Sequence, residues 1–308
     1  GVCVQKTSEA EALVAGGVTD LYISNEVVSL SKLERVAHMA RALQAKNGQI
    51  SIAVDSVEGI RRLAAALDKV HASMRVFVEI DVGQNRCGVQ PGPAAVALAQ
   101  EVQRHPRLHF AGLQAYHGKA QHLRSAAARA EAIQHVVQAV RSTRALIEAA
   151  GIPVPLVTGA GTGTFIHEAA SGVYGELQPG SFLFMDADYA SNEADPAAPV
   201  FEHALFVKTQ VISVCATHAV CDAGHKSHAI DSGLPRVWNR TLESGNGGDE
   251  HGILRGAVLP ALGDTLWLVP GHCDPTVNLY DHLVGVRGGL QHGMVERLIR
   301  VDARGALT

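Results

Sequence analysis

Cysteine is scarce in this sequence and follows no pattern: Cys3, Cys87, Cys215, Cys221 and Cys273 are five residues with no C-x-x-C among them. An odd, unspaced set argues against a disulfide framework and against a cysteine zinc site, and most of the five read as small buried thiols. No stretch reaches the roughly 18 apolar residues that a membrane helix needs, and no signal peptide opens the chain. An excess of one charge is missing too. The 26 Lys and Arg against 30 Asp and Glu leave a net charge of -4 and a pI near 6.5, with no footprint for nucleic acid. The expectation is a soluble cytoplasmic protein without nucleic-acid or membrane partners. Two nucleotide motifs are also lacking. There is no Walker loop, and Thr164 stands where a dinucleotide fingerprint would place its third glycine.

What is present begins with length. At 308 residues the chain exceeds the usual single core, which predicts a large barrel with a smaller second domain. Gly1-Val-Cys-Val4 reads as a buried strand, so something is expected to precede it. Ser8-Glu-Ala-Glu11 has capping-box spacing and predicts a short helix ending at Gly16-Gly17. Strand patterns follow at 20–23, 50–54, 75–81, 110–116, 156–158 and 175–177. Between them lie a helix with Leu33, Val36, Ala40 and Leu43 at helical spacing, helices over 56–67, 93–104 and 125–150, and one beginning near Thr164. This alternation predicts an α/β fold, a (β/α)8 TIM-type barrel. Seven strand-led units are present, with the first expected upstream of residue 1. A linker rich in Pro, Ala, Asn and Asp divides the barrel, 1–195, from a mostly β domain, 196–308. There the helix signal gives way to short runs such as 205–214, 219–222 and 283–286, and Gly288-Gly289 marks a hairpin turn.

Chemistry concentrates in a few stretches. Sixteen histidines exceed what a core needs, although His38, His71 and His135 fall in helical surface patterns. Pro270-Gly-His272-Cys-Asp274-Pro275-Thr-Val-Asn278 follows the apolar run 266–269, and on an extended backbone His272 and Asp274 point the same way. Either they are an ordinary polar loop pair or a two-ligand clamp for a divalent cation. Flanking prolines and a neighbouring His/Asp-rich stretch raise the clamp to equal standing with the loop pair. One nitrogen and one hard oxygen suit Mn, Co, Zn or Mg, with water or substrate completing an open shell. Gly159-Ala-Gly-Thr162-Gly163-Thr164 follows a strand and opens a helix, so it is either a tight turn or an anion cradle. Gln178-Pro-Gly180-Ser181 could add amides, and a small phosphorylated cofactor fits better than a nucleotide. Arg86 within Glu79-Ile-Asp-Val-Gly-Gln-Asn-Arg-Cys-Gly88, and Tyr116 within Gln114-Ala-Tyr-His-Gly118, end adjacent strands on the catalytic face. Asp222 to His228 and Asp249-Glu-His251-Gly252 place titratable side chains in the β domain.

Taken together, these motifs and Cys3-Val-Gln-Lys-Thr-Ser-Glu-Ala-Glu-Ala-Leu13 resemble the D-threonine aldolases, in the group of fold type III pyridoxal-phosphate (PLP) enzymes with alanine racemase and D-serine dehydratase. The resemblance spans essentially the whole chain. It implies PLP phosphate binding at Thr162, Gly163, Thr164, Gly180 and Ser181, with Tyr116 packed on the cofactor and Arg86 near its phenolic oxygen. Gln178 stands where alanine racemases carry an arginine facing the pyridine nitrogen. It implies His272 and Asp274 as ligands of a divalent cation, manganese first with Mg, Co or Zn as alternatives, and as the base either metal-bound water or a nearby histidine such as His251. The family's cofactor lysine has no match among the seven lysines here and is expected upstream of Gly1.

The implied activity is PLP- and metal-dependent retro-aldol cleavage of a D-3-hydroxy-amino acid, D-threonine giving glycine and acetaldehyde, by a homodimer. The rivals are a D-serine or 3-hydroxyaspartate dehydratase, a D-3-hydroxyaspartate aldolase, a PLP carrier on the same barrel, and a cofactor-independent metal aldolase. Related dehydratases resemble this pattern with cysteine in place of Asp274, which favours aldol chemistry.

Overall fold

The computed structural model describes all residues from Gly1 to Thr308. Two compact units emerge, one of Gly1–Pro179 with Ala306–Thr308 and one of Gly180–Gly305. The linker composition alone places the boundary at 195.

The first unit alternates strand and helix in chain order: β1 (Val2–Val4), α1 (Thr7–Ala15), β2 (Asp20–Ile23), α2 (Leu30–Gln44), β3 (Gln49–Val54), α3 (Val57–Val70), β4 (Met74–Glu79), α4 (Pro93–Gln103), β5 (Leu108–Ala115), α5 (Ala126–Ala149), β6 (Leu156–Gly159), α6 (Phe165–Ala170) and β7 (Glu176–Leu177). The seven strands form one parallel sheet in the order β1 to β7, an open half-barrel. Period-2 alternation sorts its side chains. Leu21, Ile23, Ile52, Val76 and Val78 join the helices in the main core, while Tyr22, Ala53, Phe77 and Ala111 cluster on the other face. The helix stripe is equally direct, since Leu33, Val36, Ala40 and Leu43 on α2 are all buried. Ser56 and Ser125 cap α3 and α5 by accepting from Gly59 N and Ala128 N.

One local expectation is corrected. Glu9 rather than Glu11 closes the start of α1, its carboxylate accepting from Gln5 N and Lys6 N at 2.9 and 2.8 Å. Ser8 is already helical and bonds Thr308 instead, and Glu11 pairs with Arg35. The helix begins earlier than the Ser8 pattern suggests because Lys6 is extended and exposes both amides to Glu9.

The second unit holds β8 (Val207–Val214), β9 (Ala219–Cys221), β10 (Arg236–Val237), β11 (Glu243–Asn246), β12 (Gly252–Arg255), β13 (Thr265–Val269), α7 (Cys273–Val277), β14 (His282–Arg287) and β15 (Met294–Arg300). Six strands make an antiparallel sheet in the order β10-β13-β8-β9-β12-β11, and β14 and β15 form a separate ribbon. Along β8, Val207, Thr209 and Val211 are buried between exposed Lys208, Gln210 and Ile212, the mark of a sheet with one covered face. The turn of this ribbon opens at Gly288 and Gly289, both at positive φ.

Candidate active site

The polar side chains of the first unit gather at the C-terminal strand ends. Arg86, in the loop after β4, holds its guanidinium carbon 5.5 Å from the centroid of the Tyr116 ring at the end of β5, so two residues singled out from separate motifs meet in a cation-π contact. Burial raises the Tyr116 hydroxyl pKa and the Arg86 charge partly opposes this.

Gln178, just after β7, donates through Nε2 to Gln114 Oε1 at 2.9 Å and to Thr158 Oγ1 at 2.7 Å. Tyr22 also donates to Gln114, and Thr158 donates to Glu176. Both N–H groups of Gln178 are therefore used within the protein, and its carbonyl oxygen accepts a long hydrogen bond from Gln114 Nε2 at 3.5 Å.

The loop Gly159 to Thr164 is built around strained backbone. Gly159 has φ 157° and Ala160 φ 70°. Several of its amides are already engaged: Gly163 N donates to Gln121 Oε1 at 3.0 Å, and Thr164 N and Phe165 N donate to Gly161 O. The simple picture of free amides at Gly163 and Thr164 is thereby corrected, because the turn closes on itself and on Gln121. Gln121 also donates to Thr164 Oγ1 at 2.7 Å, and Thr164 donates to Glu168 Oε1 at 2.8 Å. Glu168 is 1 % exposed, its second oxygen has no hydrogen-bond partner, and burial pushes its carboxyl up to about 7. Glu168, its carboxyl shifted toward the protonated form, thus braces the loop through Thr164.

In the second unit the Pro270 to Asn278 stretch is anchored from an unexpected direction. Ala187 N and Asp188 N donate to Pro270 O and Gly271 O, and the fully buried Asp186 accepts from Cys273 N at 3.0 Å. Asp186 therefore caps α7 from outside the helix. Ser181 hydrogen-bonds Cys273, whose thiol burial pushes up to about 12. Gly180 leaves open space at its α-carbon.

His272 is extended, but Asp274 is already helical, so the pair straddles a helix start and does not lie along a strand. Pro275 permits this because proline is tolerated in a first helical turn, where its missing N–H is no loss. His272 Nδ1 lies 2.6 Å from Asp231 Oδ2. Burial works against the Asp231 charge, yet the His272 contact and the Ser232 hydroxyl hold its carboxyl below the usual range. With Nδ1 as the donor, Nε2 of His272 carries a lone pair for a ligand.

His251 stands just before β12 and lines a cleft with His228, Asn246 and Cys221. His228 is buried, which lowers its pKa and keeps the ring neutral.

The alanine racemase N-terminal domain model matches residues 1–188, and a serine dehydratase domain model matches 204–286. A D-threonine aldolase of Arthrobacter sp is 44% identical over 99% of this chain and 79% of its own length. The chain belongs to the D-threonine aldolase family. A 3-hydroxy-D-aspartate aldolase of Paracoccus denitrificans is 41% identical over the same shares. The crystal structure of D-threonine aldolase from Filomicrobium marinum superposes with a TM-score of 0.94 at 43% identity, covering 100% of this chain and 82% of that one. Members of this family are lyases on an alanine racemase-like PLP fold.

Asp231, Asp186, Gln121 and Glu168 escape a reading of the sequence. The only local signal was Thr164-x-x-x-Glu168, a spacing that places two side chains on one helical face.

Proposed function

We propose that this chain cleaves D-3-hydroxy-amino acids to glycine and an aldehyde, with PLP held by the first unit and a divalent cation held by His272 and Asp274 in the second. The observation that carries the reading is the Asp231–His272 pair at 2.6 Å, a carboxylate orienting an imidazole two residues from a second carboxylate. That donor set fits a hard or borderline ion such as manganese.

For the cofactor, the support is Tyr116 offering a ring face beside Arg86, the loop Thr162 to Thr164 braced by Gln121, and Gln178 held in place by Gln114 and Thr158. When bound, PLP supplies a sink for the electron pair released at the substrate Cα. A divalent cation supplies positive charge that acidifies the substrate's 3-hydroxyl. Asp231 holds His272 in one tautomer, Asp186 fixes the helix start that carries Asp274, and Arg86 places positive charge beside the Tyr116 ring. His251 is the proposed proton acceptor, supported by its place on one cleft with the neutral His228.

The assay uses D-threonine with and without chelator. Acetaldehyde that disappears on chelation is the expected outcome, whereas ammonia would point to dehydration. His272→Ala should lower aldol cleavage roughly a hundredfold or more, since Lewis-acid assistance is worth several kcal/mol and each 1.4 or so is tenfold. The absorbance of bound PLP should stay unchanged. Full activity in a metal-free Asp274→Ala protein would refute the metal role.

A further inference from the structure

Four side chains that the proposed chemistry leaves unused converge at the C-terminal ends of neighbouring strands. Glu26 follows β2, Asp55 follows β3, Glu79 ends β4, and Cys87 lies in the loop beyond it. One ligating atom each from Glu26, Asp55 and Cys87 lie within 4.8 Å of one another. Asp55 accepts from Gly88 N at 3.2 Å. Both oxygens of Glu26 are sealed from solvent, and the groups that reach them are the Glu79 carboxyl and the Cys87 thiol, with no amide or hydroxyl among them. Glu79 is only 4 % exposed, and its carboxyl interacts with that of Glu26 as a hydrogen-bonding neighbour.

Enclosed carboxylates whose only near partners are another carboxyl and a thiol are costly when charged, and here two lie side by side with a third nearby and Arg86 as the opposing charge. The strain registers in the titration: burial, then Glu26, pushes Glu79 up to about 8, and burial, then Glu26, pushes the Cys87 thiol up to about 11. A cation at this point would satisfy the enclosed oxygens, neutralise the like charges and take the thiol as thiolate. Mixed carboxylate and thiolate ligation selects a borderline ion over magnesium or calcium.

We propose that Glu26, Asp55 and Cys87 form a divalent-cation site for an ion of the zinc and cobalt class, with Glu79 behind Glu26 completing its negative surroundings. It is separate from the ion proposed at His272 and Asp274, which belong to the other unit.

Cobalt(II) titration of the full-length protein carrying His272→Ala isolates this site, so its outcome does not depend on the aldolase reading. One cobalt per chain is expected, with a thiolate-to-cobalt charge-transfer absorption that Cys87→Ser abolishes and Cys273→Ser preserves. Glu26→Gln should weaken cobalt affinity roughly tenfold or more. As a check needing no substitution at the site, bound cobalt should protect Cys87 from alkylation, located by peptide mass spectrometry, while the exposed Cys215 still reacts. No bound cobalt, cobalt without the thiolate band, or a band lost only in Cys273→Ser would each overturn the proposal; in the first case Glu26 and Glu79 simply share a proton.

Discussion

Asp231 does not touch the substrate in the proposed scheme, yet its carboxylate decides which nitrogen of His272 faces the ion. Asp231→Asn keeps the shape and removes the charge, so metal affinity should fall about 10- to 100-fold while folding is retained. Titrating metal against activity and against thermal stability separates the two effects. Glu168 makes a different residue-scale prediction. Its folded pKa, about 7, lies above the ordinary value of 4.5, so its contribution to stability is fully present below about 4.5 and is lost as pH rises through 7. Glu168→Gln should therefore flatten the fall in melting temperature between those pH values relative to the parent. An unchanged slope would mean that Glu168 is already ionised in the folded protein.

Elements divide by how local their causes are. The face of α2, the serine caps of α3 and α5, and the strand spacing from β1 to β7 are written in short windows, because burial and capping act over one or two turns. The start of α1 was misread since two acids stand near enough to cap it, and only the backbone at Lys6 selects Glu9. Asp186 and Asp231 were invisible for a stronger reason: they act across 87 and 41 residues, and no local pattern marks a carboxylate that will meet a distant amide or imidazole. Arg86 and Tyr116 were legible as strand-end residues, though their stacking was not. The loops after β6 and β7 give a matched pair of tests. A Cβ on Gly163 would come within 2.5 Å of the Gln121 carbonyl oxygen, a backbone atom, so Gly163→Ala should lower the melting temperature and PLP affinity together. Gly180 has open space and a negative φ, so Gly180→Ala should leave stability within about 0.5 kcal/mol, and any loss of PLP affinity there reports the cofactor itself.

At the scale of the molecule, the second unit is an insertion. The chain leaves the first unit at Pro179 and returns at Ala306, and Thr308 accepts from Ser8 N and Ser8 Oγ at 2.9 and 2.7 Å across 300 residues. This clasp has a consequence in time. A ribosome makes α1 before the second unit and the segment 306–308 that fastens it after, so the helix must wait through synthesis of the entire second unit. Loop-closure entropy grows only slowly with length, and a folded insertion shortens the effective loop further. A nascent chain halted before Ala306 should thus already resist proteolysis in both units while α1 remains clipped, and addition of residues 306–308 should convert that open seam into a protected one.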